Sequence, residues 1–198
     1  MCGRFYIDAD AEFLLNYFRI RYEPKIRVDH PVVFPSQTSP IIIGTTTERR
    51  IGPMAWGFKL KDLNRPIINA RSETVMDKWL FKQAFEKRRC LIPASGFYEW
   101  SQYEAVLPKP QFAISLSDSP LMGMAGIYQK QVDASGNEGW FFSVVTCDAN
   151  EDIQKIHPRM PLLIHPDDFD LWLKPDSKLD QVRQLLISRD VHFDIERI

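Results

Sequence analysis

What most constrains the fold of this chain is a succession of short apolar segments with strand character that never falls into regular βαβ alternation. Residues 50–58, 90–92, 96–100, 111–116, 121–128 and 140–147 carry the apolar, β-branched and aromatic patterns of strands, and 3–7 alternates like a short one. A polar run over 133–139, rich in glycine and asparagine, reads as a hairpin turn. Asp8 or Asp10 can cap a helix with Phe13, Leu14, Tyr17 and Phe18 on one face. Further helices are expected at 77–88, at 149–155 behind an Asp148-x-x-Glu151 capping pattern, at 167–173 and at 177–188. The stretch 21–39 passes through Pro24, Pro31 and Pro35 and is expected to be an extended loop before the apolar 40–43. Strands flanked by helices in this order predict an α+β fold: one domain, 1–198, around a curved, barrel-like, mainly antiparallel sheet.

The 198 residues, 44% hydrophobic and 26% charged, suit a globular domain with a sizeable core and exclude disordered and fibrous classes. No apolar run reaches the roughly 20 residues of a membrane span, and the start lacks the apolar core of a signal peptide, so a cytoplasmic chain without membrane attachment is expected. Cys2, Cys90 and Cys147 show no CxxC spacing and the histidines no HExxH, so neither a disulfide framework nor a metal is implied. No phosphate-binding glycine motif is present, and no cofactor is expected. A net charge of −1 argues against coating nucleic acid through the overall field, though not against a local cleft.

Cys2 carries the richest chemistry. Removal of Met1 would make it the N-terminus, a 1,2-aminothiol whose amine (reference pKa about 7.7–8.0) and thiol (about 8.5) both attack aldehydes. The amine gives an imine, and the thiol can close on the same carbon to a five-membered thiazolidine. The alternative is that Cys2 is only a small residue packed in a first strand.

Three other segments add to it. In Gly96-Phe97-Tyr98-Glu99-Trp100, a strand would put Phe97 and Glu99 on one face, enclosing a carboxylate suited to general acid–base work; the alternative is an edge-strand carboxylate in water or paired with an arginine. Asn69, after Ile67-Ile68, can hold its amide inward at a strand end or serve as a turn residue. His157 sits in a segment stiffened by Pro158 and Pro161, which fixes it relative to the sheet; His30, His165 and His192 read as solvated or structural. Arg4, Arg71 and Arg159 can line a phosphate-contacting cleft, or each can be a surface ion-pair partner.

Taken in order, Cys2-Gly3-Arg4-Phe5, Trp56-Gly57-Phe58, the run from Ile68-Asn69-Ala70-Arg71 to Thr74, the run from Arg89-Cys90 to Trp100, and His157-Pro158-Arg159-Met160-Pro161 resemble the SRAP family of abasic-site processing proteins, over roughly 2–172. The resemblance implies a monomeric α+β domain that binds single-stranded DNA containing abasic sites and links covalently, through Cys2, to the sugar aldehyde. It assigns Cys2 as nucleophile, Asn69 as the group orienting its amine and the sugar, Glu99 as proton shuttle and His157 as acid–base helper. It gives Arg4, Arg71 and Arg159 to phosphates, Thr146 to a further DNA contact, and Trp56 and Trp100 to base stacking, with the core as the alternative for both tryptophans. Where the family carries Asn-x-Ala-Pro, this chain reads Val32-Val33-Phe34-Pro35, keeping only the proline, which is left to shape the cleft floor. The chain also ends at Ile198 without the family's frequent Val-Ser and Val-Asn tail, so a shorter groove wall is expected. Two other functions fit the same residues: an N-terminal-nucleophile cysteine peptidase with His157 as base, and a noncovalent reader of modified or single-stranded DNA.

Overall fold

The structure, a computed structural model, describes residues 2–21, 31–60, 63–132, 136–187 and 191–198. Met1, Pro24, His30 and residues 133–135 of the turn expected at 133–139 lie outside the described residues. The strands are β1 (Phe5–Tyr6), β2 (Val32–Val33), β3 (Thr38–Gly44), β4 (Arg49–Trp56), β5 (Asn69–Arg71), β6 (Arg89–Ala94), β7 (Gly96–Trp100), β8 (Gln111–Leu116), β9 (Met122–Val132), β10 (Glu138–Asp148), β11 (Arg159–Pro161), β12 (Leu163–Ile164) and β13 (Phe193–Arg197). The α-helices are α1 (Ala11–Tyr17), α2 (Trp79–Lys87), α3 (Glu151–Gln154), α4 (Phe169–Leu173) and α5 (Leu179–Arg183).

Two sheets result. The smaller is antiparallel in the order β13-β8-β7-β1-β2. In the larger, β4 pairs with β3, β3 with β6, β6 with β9, β9 with β10, and β10 returns to β4, so the pairings close a ring. Closure removes the exposed edges of these strands, and it is the barrel-like curvature that the strand pattern predicts. The return contact between β10 and β4 is parallel, as is that between β10 and β5, within an otherwise antiparallel set of described pairings. β5 and β11 extend β10 beyond the ring, and β12 extends β9.

All six residues of β6 are buried because α2 and α4 cover its outer side. α2 forms as expected: Phe81, Ala84 and Phe85 recur at helical spacing and are its buried residues. Arg89 opens β6 as a buried cation. Its guanidinium donates to the carbonyls of Phe85 (2.7 Å) and Glu86 (2.9 Å) near the C-terminus of α2, and of Trp172 (2.7 Å) and Lys174 (2.6 Å) at that of α4. Two negative helix ends thus take the place of a carboxylate. Trp172 fixes the same junction by donating from Nε1 to the Cys90 carbonyl at 2.8 Å.

Several boundaries differ from the sequence reading for local reasons. Asp10, not Asp8, caps α1, accepting from the Phe13 N–H at 2.7 Å. The cap of α3 is Asn150, which accepts from the Ile153 N–H at 3.2 Å; Asp148 is instead the last residue of β10, with its carboxylate turned to Arg159. Both C-terminal helices are shorter than expected, each adjoined by a 3-10 turn: 166–168 before α4 and 184–186 after α5. Within the stretch read as loop, Val32 and Val33 form β2 on the edge of the smaller sheet.

Candidate active site

The site is assembled where the two sheets meet. β1 pairs antiparallel with β7, with Phe5 opposite Phe97, and the Tyr98 N–H donates to the Arg4 carbonyl at 2.9 Å. This pairing brings the chain start beside Glu99. β10 carries β5, with Asn69 and Arg71, on one edge and β11, with Arg159, on the other. The α3 helix and the two prolines then return His157 toward β7.

Two contacts join these parts. Asn69 donates from Nδ2 to the Cys2 carbonyl at 3.0 Å, crossing between sheets to hold the backbone of the nucleophile candidate. His157 Nδ1 lies 4.0 Å from Glu99 Oε1, and both side chains are buried. Cys2 is wholly buried, with Sγ 3.8 Å from the Arg4 carbonyl. The four residues assigned to chemistry by the resemblance therefore converge from four separate segments.

Electrostatics distinguishes their roles. Burial pushes the Cys2 thiol well above its ordinary range, and the nearby Glu99 charge adds in the same direction, so the resting sulfur is a neutral thiol. Burial lowers the His157 imidazole below its ordinary 6.5, with Glu99 opposing. Its Nδ1 is 2.9 Å from both the N–H and the carbonyl of Arg159. It accepts from the first when unprotonated and donates to the second when protonated, so one stretch of backbone satisfies either state of a proton carrier.

Arg159 is itself immobilised. Its guanidinium forms a two-pronged pair with Glu73, Nη2 reaching Oε2 at 2.8 Å and Nη1 reaching Oε1, and also meets Asp148 (2.6 Å) and the Thr146 carbonyl (2.7 Å). Arg159 holds a phosphate only by exchanging some of these bonds. Thr146 is fully buried, with its hydroxyl oxygen 3.5 Å from Arg159 Nη2. Trp56 is also fully buried, between Phe5 (ring centroids 5.1 Å) and Phe142 (6.1 Å), with Nε1 donating to the Ile68 carbonyl at 3.0 Å. The core alternative fits Trp56: a wholly buried ring, stacked on Phe142 and packed against the tilted ring of Phe5, offers no face to a base.

The remaining residues face outward. Arg4 lies over three rings, Phe34 at 4.6 Å, Trp100 at 4.9 Å and Tyr98 at 5.7 Å, without an ion-pair partner among the described residues. Trp100 is half-buried by this contact. Pro35 sits in a turn closed by Gln37 N–H donating to the Phe34 carbonyl at 3.1 Å, which presents Phe34 to Arg4. Arg71 is exposed at the end of β5, also without an ion pair among the described residues. Glu73, Phe34 and Tyr98 were not singled out as functional in the sequence; an acid between Ser72 and Thr74 is a signal only once Arg159 is known to lie opposite.

Fold and site together define an α+β protein with a buried cysteine at position 2 set against a buried Glu–His pair, beneath a rim of arginine and aromatic side chains. The chain belongs to the SOS response associated peptidase (SRAP) family, which it matches over residues 1–197. It is 31% identical to the abasic site processing protein YoaM of Bacillus subtilis, over 96% of this chain and 87% of that protein. It is 27% identical to the abasic site processing protein YedK of Escherichia coli, over 95% and 86%. With the rat abasic site processing protein HMCES it shares 29% identity over 66% of this chain and 48% of that longer protein. Among solved structures, a protein from Bacteroides thetaiotaomicron superposes with a TM-score of 0.85 at 25% identity, covering 100% of this chain and 92% of that one. No helix among the described residues is long and apolar enough to cross a membrane.

Proposed function

We propose that this protein processes abasic sites in single-stranded DNA by covalent capture, acting as a monomer. With Met1 removed, the Cys2 α-amine attacks C1′ of the ring-opened sugar aldehyde and gives a carbinolamine. Loss of water leaves an imine. The thiol then adds across the C=N bond, its proton passing to nitrogen, so aldehyde and aminothiol become a thiazolidine plus one water. Glu99 moves protons during dehydration and ring closure, His157 assists at the sugar, and Asn69 orients the Cys2 backbone. Arg4 and Arg71 hold phosphates on either side, and Arg159 joins them on exchanging its carboxylate partners. The same imine opens a weak β-elimination route, and reversal through it releases the DNA.

The observation that carries this reading is the Asn69 bond to the Cys2 carbonyl beside the buried Glu99–His157 pair. The neutral, buried thiol favours amine-first capture over a thiolate peptidase, because a resting thiolate would be desolvated next to Glu99. The names of the relatives support abasic-site processing. The test is incubation with a uracil-containing single strand treated to expose its abasic site, followed by boiling in SDS. A slow-migrating adduct is expected with the wild type and none with Cys2→Ala; adducts equal in both would overturn the proposal.

A further inference from the structure

The C-terminus of α1 is built in an unusual way. Arg19 N–H donates to the Asn16 carbonyl at 3.1 Å and Ile20 N–H to the Leu15 carbonyl at 2.9 Å, a paired closure that puts residue 19 in the left-handed region, at φ 52°. Glycine is the usual occupant, because any Cβ there costs about 1 kcal/mol. The chain places an arginine at this position. That side chain lines a polar cleft of about 240 Å3 between the end of α1, the β3–β4 turn and the end of α4.

Four cations, Arg19, Arg21, Arg49 and Lys174, face two carboxylates, Glu48 and Asp170, in this cleft. Glu48 turns to Arg50 at 2.7 Å. Arg49 is fixed: it donates to Asp170 through Nε (3.0 Å) and Nη2 (2.7 Å) and to the Phe18 carbonyl through Nη1 (2.8 Å). Arg19, Arg21 and Lys174 form no ion pair at contact distance among the described residues and are exposed. At the floor, β3 packs directly on the end of α4: a Cβ at Gly44 would meet the Leu173 carbonyl oxygen at 2.7 Å. Leu173 is the one large apolar side chain on the lining, so the cavity suits a small polar anion rather than a base or a lipid.

We propose that this cleft binds a phosphate group through Arg19, Arg21 and Lys174, with Arg49 as a rear wall fixed by Asp170. Guanidinium forks from two sides match the several oxygens of a phosphate better than the two of a carboxylate. The site is separate from that of Cys2. It lies at the Arg49 end of β4, whereas Trp56, at the other end, packs on Phe5; at about 3.3 Å per residue the strand spans about 23 Å. The phosphate belongs either to a free phosphate ester or to the backbone of a DNA strand that passes both sites, and length separates the two. A trinucleotide, at about 3.4 Å per phosphate, does not reach from one site to the other, whereas a strand of about 24 nucleotides does.

The test uses Arg19→Gly and Lys174→Ala in the full chain. Arg19→Gly relieves the left-handed backbone, so its melting temperature is expected to equal or exceed that of the wild type, which separates lost binding from lost folding. Tripolyphosphate binding, titrated calorimetrically at fixed ionic strength, is expected to weaken about tenfold in each variant, as loss of one charge-assisted contact predicts. If the long oligonucleotide also binds more weakly while the trinucleotide is unaffected, the phosphate is that of DNA. If neither oligonucleotide changes, it is that of a free ester. No tripolyphosphate binding to the wild type, or equal binding to both variants, would overturn the proposal. Adduct formation on an abasic trinucleotide, which does not reach from Cys2 to the cleft, is expected to be unchanged in both variants, so this outcome is separate from the abasic-site chemistry.

Discussion

Glu73 grips the guanidinium of Arg159 with both carboxylate oxygens, and the backbone of Arg159 in turn holds the His157 ring. An acid outside the reacting group thereby fixes the geometry of the acid–base pair. Arg159 holds the Glu73 carboxyl down at about 2, against an ordinary 4.5. A depressed carboxyl stabilises the fold above its unfolded value, and that contribution is lost as pH falls from about 4.5 toward 2. Because the side chain is 48% exposed, screening limits the effect to about 1 kcal/mol. Urea unfolding should show Glu73→Gln less stable by this amount at pH 7 and the difference shrinking below pH 4.5; a constant difference would contradict the pairing.

Burial keeps His157 neutral to below pH 6.5, so the acid–base helper stays deprotonated in a range where an α-amine of ordinary pKa, about 7.7–8.0, is mostly charged. Logarithmic adduct-formation rates plotted against pH should rise with a slope of about 1 below the amine pKa. The slope should steepen toward about 2 once His157 also protonates, below 6.5. His157→Gln should keep a single slope throughout.

Glu99→Gln preserves the shape of the buried side chain and removes its proton transfer, so single-turnover capture should slow by about a hundredfold. Asn69→Ala frees the Cys2 carbonyl and should slow capture by about tenfold through misorientation. Equal rates in either variant would remove that residue from the mechanism.

Arg89 predicts a stability effect without a chemical one. Arg89→Ala leaves four helix-end carbonyls without their buried donor and should cost about 3 kcal/mol or more in urea unfolding. Lysine, with a single ammonium, cannot span both helix ends and should recover only part of that loss. At temperatures where the fold persists, capture rates should match the wild type.

The sequence revealed what depends on local pattern. The apolar runs located nearly every long strand, and the alternation in 96–100 put Phe97 and Glu99 together on the buried face, where the structure has them. Long-range pairing was out of reach: closure of the ring through the parallel contact of β10 with β4 has no signature in either strand. The same limit explains Asp148, whose spacing to Glu151 imitates a helix cap although a partner eleven residues on, Arg159, claims its carboxylate. Trp56 was equally plausible as core or base platform, since only the arrival of Phe142 stacked on its ring and of Phe5 beside it decides between them. The Glu73–Arg159 pair, 86 positions apart, could not be seen before folding.

The central claim is that the Cys2 amine and thiol together capture the aldehyde. Intact mass spectrometry of the adduct formed on abasic single-stranded DNA without reductant tests it most directly. The expected mass is that of the chain lacking Met1 plus the DNA minus one water, stable to heating in SDS, with Cys2→Ser yielding an adduct only when borohydride is added. A reductant-independent adduct that retains Met1, or one that forms equally with Cys2→Ser, would contradict it.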